Sequence, residues 1–262
     1  MWVTLVHSGH IARVPASGSA ADVALYPVGP DTRPSIITTG PDGALWFTRT
    51  GDDRIGRITV TGEMRAFDLP DGSAPFGITR GPDDAVWFTA MGSGVVGRIT
   101  VDGEITVEQV VGGSPSMIVT GPDNALWFTL NRANAVARLE PGGKADVRAL
   151  PTPAAGPVGI AATHDDAVWF TEILAEKVGR IPVDDAIQEL DLPGKPHAVV
   201  ADPSGGVWVS LWGSDQIAKI DADGEAVTFD LPAGSEPHGM ALGPDGALWV
   251  ALESGFVVRL PS

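Results

Sequence analysis

The chain has 262 residues, 44% of them hydrophobic, a length that suits one globular β domain spanning residues 1–262. It has no cysteine, which excludes disulfides, cysteine–zinc centres and thiol nucleophiles, and its 17 Lys+Arg against 33 Asp+Glu give a formal charge of −16 that opposes nucleic acid and anionic membrane as partners. No run approaches the roughly 18 apolar residues of a membrane span, and Met1 to His10 lacks the basic start and apolar core of a signal peptide, so a cytoplasmic protein is expected.

Tryptophan recurs along the chain at positions 2, 46, 87, 127, 169, 208 and 249. Each one after the first follows a proline by twelve residues: Pro34, Pro75, Pro115, Pro157, Pro196 and Pro237. The unit starting at Ala74 reads as four short strands, F-G-I-T, A-V-W-F-T, V-V-G-R-I-T and E-I-T-V-E-Q-V, separated by turn chemistry such as G-P-D-D and V-D-G. Helical spacing is absent. Four antiparallel strands per period of about 40 residues mark a β-propeller blade, so the predicted fold is all-β, a seven-bladed β-propeller of four-stranded blades.

The repeated tryptophans are read as packing between neighbouring blades, and Arg13, Arg57, Arg98, Arg138 and Arg180, eleven residues after them, as structural partners in the third strand. Lys219 takes that place in the sixth blade. The first and last blades are incomplete: the chain enters in a second strand, without a proline-led inner one, and ends after a third. Unpaired edges at such a seam are a liability that natural sheets avoid, which leads us to expect that the coding sequence begins upstream of Met1 and supplies about 20–25 further residues.

Alternating strand direction gathers the residues around each proline, and those just past each W-F-T, on one rim. There the repeat varies. The residue after proline is Ser35, Phe76, Ser116, Val158, His197 or His238, and the one before it Arg33, Ala74, Ser114, Gly156, Lys195 or Glu236. The last blade has one residue fewer between Trp249 and Arg259, with Glu253 at the irregularity. Two histidines on adjacent blades with two carboxylates beside them form a candidate site. His7, His10 and His164 fall in turns away from it and are read as surface residues. Two carboxylates with water suit Mg²⁺, and a neutral imidazole beside that ion can take a proton. Elimination next to a carbonyl, metal-assisted hydrolysis by a lactonase or esterase, and a propeller that only binds its ligand all remain open at this level.

The runs G-P-D-N-A-L-W-F-T, G-P-V-G-I, K-P-H-A-V, E-P-H-G-M and A-L-W-V-A-L-E resemble the virginiamycin B lyase (streptogramin B lyase) family over nearly the whole chain. That resemblance implies a monomeric propeller that inactivates type B streptogramins, a small-molecule cyclic depsipeptide class, by Mg²⁺-dependent elimination at the ester. Position by position it implies His238 as the general base, Glu236 and Glu253 as magnesium ligands and His197 as a substrate contact. Family members commonly carry Thr-Glu after Trp-Phe in several blades, whereas here only Thr171-Glu172 keeps it.

Overall fold

The computed structural model describes residues 1–16, 19–183 and 185–260. Its secondary structure is β throughout apart from a one-turn 3-10 helix at Ala20–Asp22, and no helix among the described residues is long and apolar enough to cross a membrane. Seven antiparallel sheets follow one another along the chain as the seven blades of a β-propeller. Blades 2 to 6 have four strands each. The first, Trp2–Leu5, His10–Arg13 and Ala24–Pro27, and the last, Pro237–Leu242, Leu248–Leu252 and Val257–Leu260, have three, as the repeat predicts.

The described residues group into two compact units, Met1–Thr120 with Leu139–Ala145, and Gly121–Arg138 with the residues from Asp146 onward. In the first unit, Trp46 of blade 2 packs among Ile78, Val86, Phe88 and Ile99 of blade 3. The second unit repeats the arrangement, with Trp169 of blade 5 against Val207, Val209 and Leu211 of blade 6. Flat antiparallel blades bury a face only against a neighbour, so at these two junctions the tryptophan does what the spacing predicts. Trp46, Trp87 and Trp127 are 0% exposed.

The arginine series has a partner that was not apparent from the sequence. In blade 3 the indole N–H of Trp87 donates to Asp83 Oδ1 at 2.9 Å, and Arg98 Nε donates to Asp83 Oδ2 at 2.6 Å. The aspartate of the G-P-D turn thus ties the second strand to the third. Burial opposes its charge, but the bonds from Trp87 and Arg98 outweigh burial and hold the carboxyl below the ordinary carboxylate range. Asp42 and Asp123 bridge Trp46 to Arg57 and Trp127 to Arg138 in the same way.

The inner strands that begin at Pro34, Pro75, Pro157, Pro196 and Pro237 also carry a β-bulge just after the proline. In blade 6, Pro196 pairs with Leu211 but Val199 pairs with Val209, so three steps on one strand oppose two on the other. Blade 7 shows the same shift between Pro237 and Met240. A bulge re-aims side chains out of the pleat, and the residues it re-aims here are His197 and His238.

Candidate active site

His197 and His238 lie in the bulges of adjacent blades, and their rings are in contact, with centroids 3.9 Å apart and planes tilted by 42°. Both backbones are held by hydroxyls two residues past a tryptophan. Thr171 Oγ1 donates to the His197 carbonyl at 2.7 Å, and Ser210 Oγ donates to the His238 carbonyl at 3.0 Å while accepting the Ala198 N–H at 2.9 Å. Gly239, next to His238, leaves open space: a Cβ there would meet nothing within 4 Å.

Glu236 precedes Pro237 in the left-handed region, with φ of 45°. Every residue in that slot of blades 2 to 7 has positive φ, from Arg33 and Ala74 at 45° to Gly156 at 63°, although only one of them is glycine. What holds the strained conformation in blade 7 is Asp215, whose two oxygens accept the Gly234 and Glu236 N–H groups at 2.8 Å each. The Glu253 N–H in turn donates to the Glu236 carbonyl at 3.2 Å, so the two carboxylates spring from hydrogen-bonded neighbours. Glu253 Oε1 stands 3.8 Å from His238 Nε2.

These surroundings keep both imidazoles neutral. Burial pushes His238 below its ordinary value, and the nearby charge of Glu253 recovers only part of that shift. Burial and then the proximity of His238 push His197 down to about 3. His197 Nδ1 is sealed from solvent with no hydrogen-bond partner, so a proton added there would be an unpaired buried charge. A neutral His238 near pH 7 is free to accept a proton.

The four predicted residues are therefore brought together in pairs: His197 with His238 by ring contact, His238 with Glu253 by charge, Glu253 with Glu236 through the backbone. Among the described residues no group of three or more His, Asp or Glu side chains forms a ready-made metal cage. Glu236 and Glu253, both exposed, offer two hard oxygen donors. That set fits Mg²⁺, which keeps several waters and is bound through one or two carboxylates.

Two residues near these elements are given no role by the sequence. Trp212, in the loop after Val207–Leu211, lies under Lys195 with Nζ 5.2 Å from the ring centre, and its indole N–H is buried without a partner. Glu172, at the end of Ala167–Glu172, is 0% exposed, and neither carboxyl oxygen has a hydrogen-bond partner. Burial and then the charge of Glu189 push it up to about 7, against the pull of Lys177. Its slot, three residues after tryptophan, was placed with the varied rim positions. It is buried in blades 2 to 7, where Ala90, Leu130 and Leu211 are each 1% exposed.

The profile of the Virginiamycin B lyase family matches residues 1–260. The chain belongs to this family. It is 70% identical over 262 residues to the virginiamycin B lyase of Mycolicibacterium smegmatis (strain ATCC 700084 / mc(2)155), covering 100% of this chain and 92% of that one. The crystal structure of selenomethionine-substituted virginiamycin B lyase from Staphylococcus aureus superposes with a TM-score of 0.93 at 36% identity, over 100% of this chain and 90% of that one. A catalytically inactive histidine-to-alanine variant of the S. aureus virginiamycin B lyase, solved with quinupristin, gives a TM-score of 0.94 at 34% identity, with 100% and 90% covered. As the resemblance implied, family and fold agree.

Proposed function

We propose that the chain is a lyase that opens type B streptogramins at the ester by elimination, with His238 as the base. The observation that carries this reading is the neutral His238, packed on His197 and facing Glu253 at 3.8 Å, in a chain of the virginiamycin B lyase family. Nε2 of His238 accepts the proton from the carbon that lies between a carbonyl of the depsipeptide ring and the β-carbon bearing the ester oxygen. The electron pair left on that carbon forms a carbon–carbon double bond as the bond from the β-carbon to the ester oxygen breaks, and the ester leaves as a carboxylate. No water is consumed. His197, whose own protonation is suppressed, packs beside His238 as a substrate contact, and the Glu253 carboxylate 3.8 Å from Nε2 favours the imidazolium that forms.

Glu236 and Glu253 would hold Mg²⁺. The chemistry that such a cation supplies is positive charge beside the carbonyl whose neighbouring proton is removed. Without that charge a carbon acid is far too weak for an imidazole of ordinary pKa about 6.5.

The test is product mass after incubation with quinupristin and Mg²⁺. Unchanged mass with a new carbon–carbon double bond is expected, together with loss of turnover on adding a chelator. Gain of one water would make the protein a hydrolase, and an intact substrate that nonetheless binds would make it a binding module; either overturns the reading.

A further inference from the structure

On the rim, the loop after a blade's second strand is tied to the approach to that blade's own proline. The N–H groups of Gly51, Gly92, Leu174 and Gly213, each five residues past a tryptophan, donate to the carbonyls of Thr32, Ser73, Ala155 and Gly194 at 2.9 to 3.1 Å. Three of these four loop residues are glycine for want of room. A Cβ on Gly51 or Gly92 would run into the carbonyl oxygen of Asp31 or Gly72, and one on Gly213 would lie 2.9 Å from the Lys195 side chain. Blade 5 reverses the arrangement. Its loop residue is Leu174, and the residue before its proline, which carries a side chain in every other blade from 2 to 7, is Gly156.

Backbone conformation does not require that glycine. Its φ is 63°, but Arg33, Ala74, Ser114, Lys195 and Glu236 hold the same left-handed region at 45° to 56° with side chains attached. What Gly156 supplies is space: a Cβ on it would stand 2.8 Å from Leu174 Cγ and 2.9 Å from Cδ1. The leucine is thus laid across the Gly156 backbone, and it remains 73% exposed, more than any other large apolar side chain among the described residues. No sheet edge explains that exposure, since blades 4, 5 and 6 all have four strands. A lone exposed leucine is ordinary, but this one stands where the framework has given up a side chain to seat it.

Val158, two residues past Gly156, is the blade-5 counterpart of His197 and is only partly buried. Thr171 Oγ1 accepts the Gly159 N–H at 2.8 Å and donates to the His197 carbonyl at 2.7 Å, as Ser210 Oγ joins the Ala198 N–H to the His238 carbonyl. Val158 therefore stands to His197 as His197 stands to His238, whose rings touch. Leu174, Val158, His197 and His238 form a row that runs from an apolar end to the proposed base. Gly156, under the leucine, and Val158 are roughly 7 Å apart at about 3.3 Å per residue, a span that two residues of an extended peptide cover.

We propose that Leu174 and Val158 form an apolar subsite that receives a hydrophobic side chain of the depsipeptide while its ester lies at His238, an inference that rests on the lyase reading above. Leu174 is then a specificity-determining residue, acting on substrate affinity and not on the proton transfer, because it lies in blade 5, two blades from the base. The loop residue at the same place in blade 4, Arg132, is charged, so the apolar character belongs to the blade next to His197.

Quinupristin is the probe, and its turnover by the parent protein with Mg²⁺ is measured first; a parent that neither consumes nor binds it overturns the lyase reading and the subsite with it. With an active parent, Leu174→Ala should raise KM about tenfold and change kcat by less than about twofold, whereas Leu174→Met, close in volume, should stay within about twofold on both. The double variant Gly156→Ala/Leu174→Gly rebuilds the pairing of blade 3 and should match Leu174→Ala, with the unfolding midpoint of each variant recording that it is folded. Binding is read apart from chemistry in His238→Ala. In that background Leu174→Ala should weaken the calorimetric Kd about tenfold and make the heat-capacity change on binding less negative, the mark of apolar surface left uncovered. Unchanged KM and Kd in folded Leu174→Ala, or a fall in kcat with KM unmoved, overturns the subsite while leaving the lyase reading intact.

Discussion

Blade 3 and blade 7 are built to the same plan and differ in what they carry. Both have a left-handed residue before the proline, Ala74 and Glu236, each at φ of 45°. In both, an aspartate nineteen to twenty-one residues earlier clamps the approach: Asp53 takes the Gly72 and Ala74 N–H groups, as Asp215 takes those of Gly234 and Glu236. Both have a bulge after the proline. Yet blade 3 presents Ala74 and Phe76 where blade 7 presents Glu236 and His238. The framework is thus made by backbone geometry and turn carboxylates, while the proposed chemistry resides in side chains that the framework does not use.

The sharpest way to break that comparison is His238→Ala. Removing the proposed base should lower turnover by about 10²–10⁴-fold and leave the melting temperature within error of the parent. Turnover within tenfold of the parent would remove His238 from the chemistry. The pH profile adds a second check. Because burial holds His238 below its ordinary value, kcat/KM should be flat at neutral pH and fall only as acid protonates the ring below about pH 6.5.

Glu172 probes the framework. Its folded pKa, about 7, stands above the ordinary 4.5, so the stability it allows is fully present below about pH 4.5 and is lost as pH rises through 7. Glu172→Gln keeps the shape without the ionisation and should flatten that dependence, recovering about 2–3 kcal/mol at pH 8 in denaturant unfolding. Identical pH dependence in both proteins would mean that the carboxyl is not held protonated. Asp215→Ala tests the clamp. Releasing the N–H groups of Gly234 and Glu236 should lower the unfolding midpoint slightly and, unlike Asp53→Ala, should also weaken the Mg²⁺ dependence of turnover. Equal effects of the two variants on activity would separate the clamp from the site.

The smallest effect is expected from His197→Ala. It leaves the base in place and should raise KM by roughly tenfold, about 1.4 kcal/mol, with less change in kcat. A fall in kcat as large as that of His238→Ala would make His197 a second catalytic group.

The spacing of tryptophan and proline made the blades legible because those residues mark every repeat. Glu236, His238, Glu253 and His197 were legible for the opposite reason, as departures from it. The aspartates bridging tryptophan to arginine were not, because G-P-D is ordinary turn chemistry and nothing in it reveals a side chain bonded to partners four and fifteen residues away. Burial of Glu172 was hidden too: strand polarity places it past W-F-T, but only the packing of successive blades seals it. The replacement of arginine by Lys219 was visible in the sixth blade, whereas the half-burial of Trp208 depends on how successive blades pack and has no sequence signature of its own.

Thr48, Thr129, Thr171 and Ser210 each grip the residue after the next blade's proline by its carbonyl, at 2.7 to 3.0 Å, whether that residue is Phe76, Val158, His197 or His238. A socket that holds its occupant by the main chain is indifferent to what the occupant is. Exchanging Phe76 or Val158 for histidine, or His197 for an apolar residue, leaves every one of those bonds available. Six such sockets among the described residues give the scaffold a rack of interchangeable positions, in which a new substrate preference can be acquired by single substitutions without renegotiating the fold.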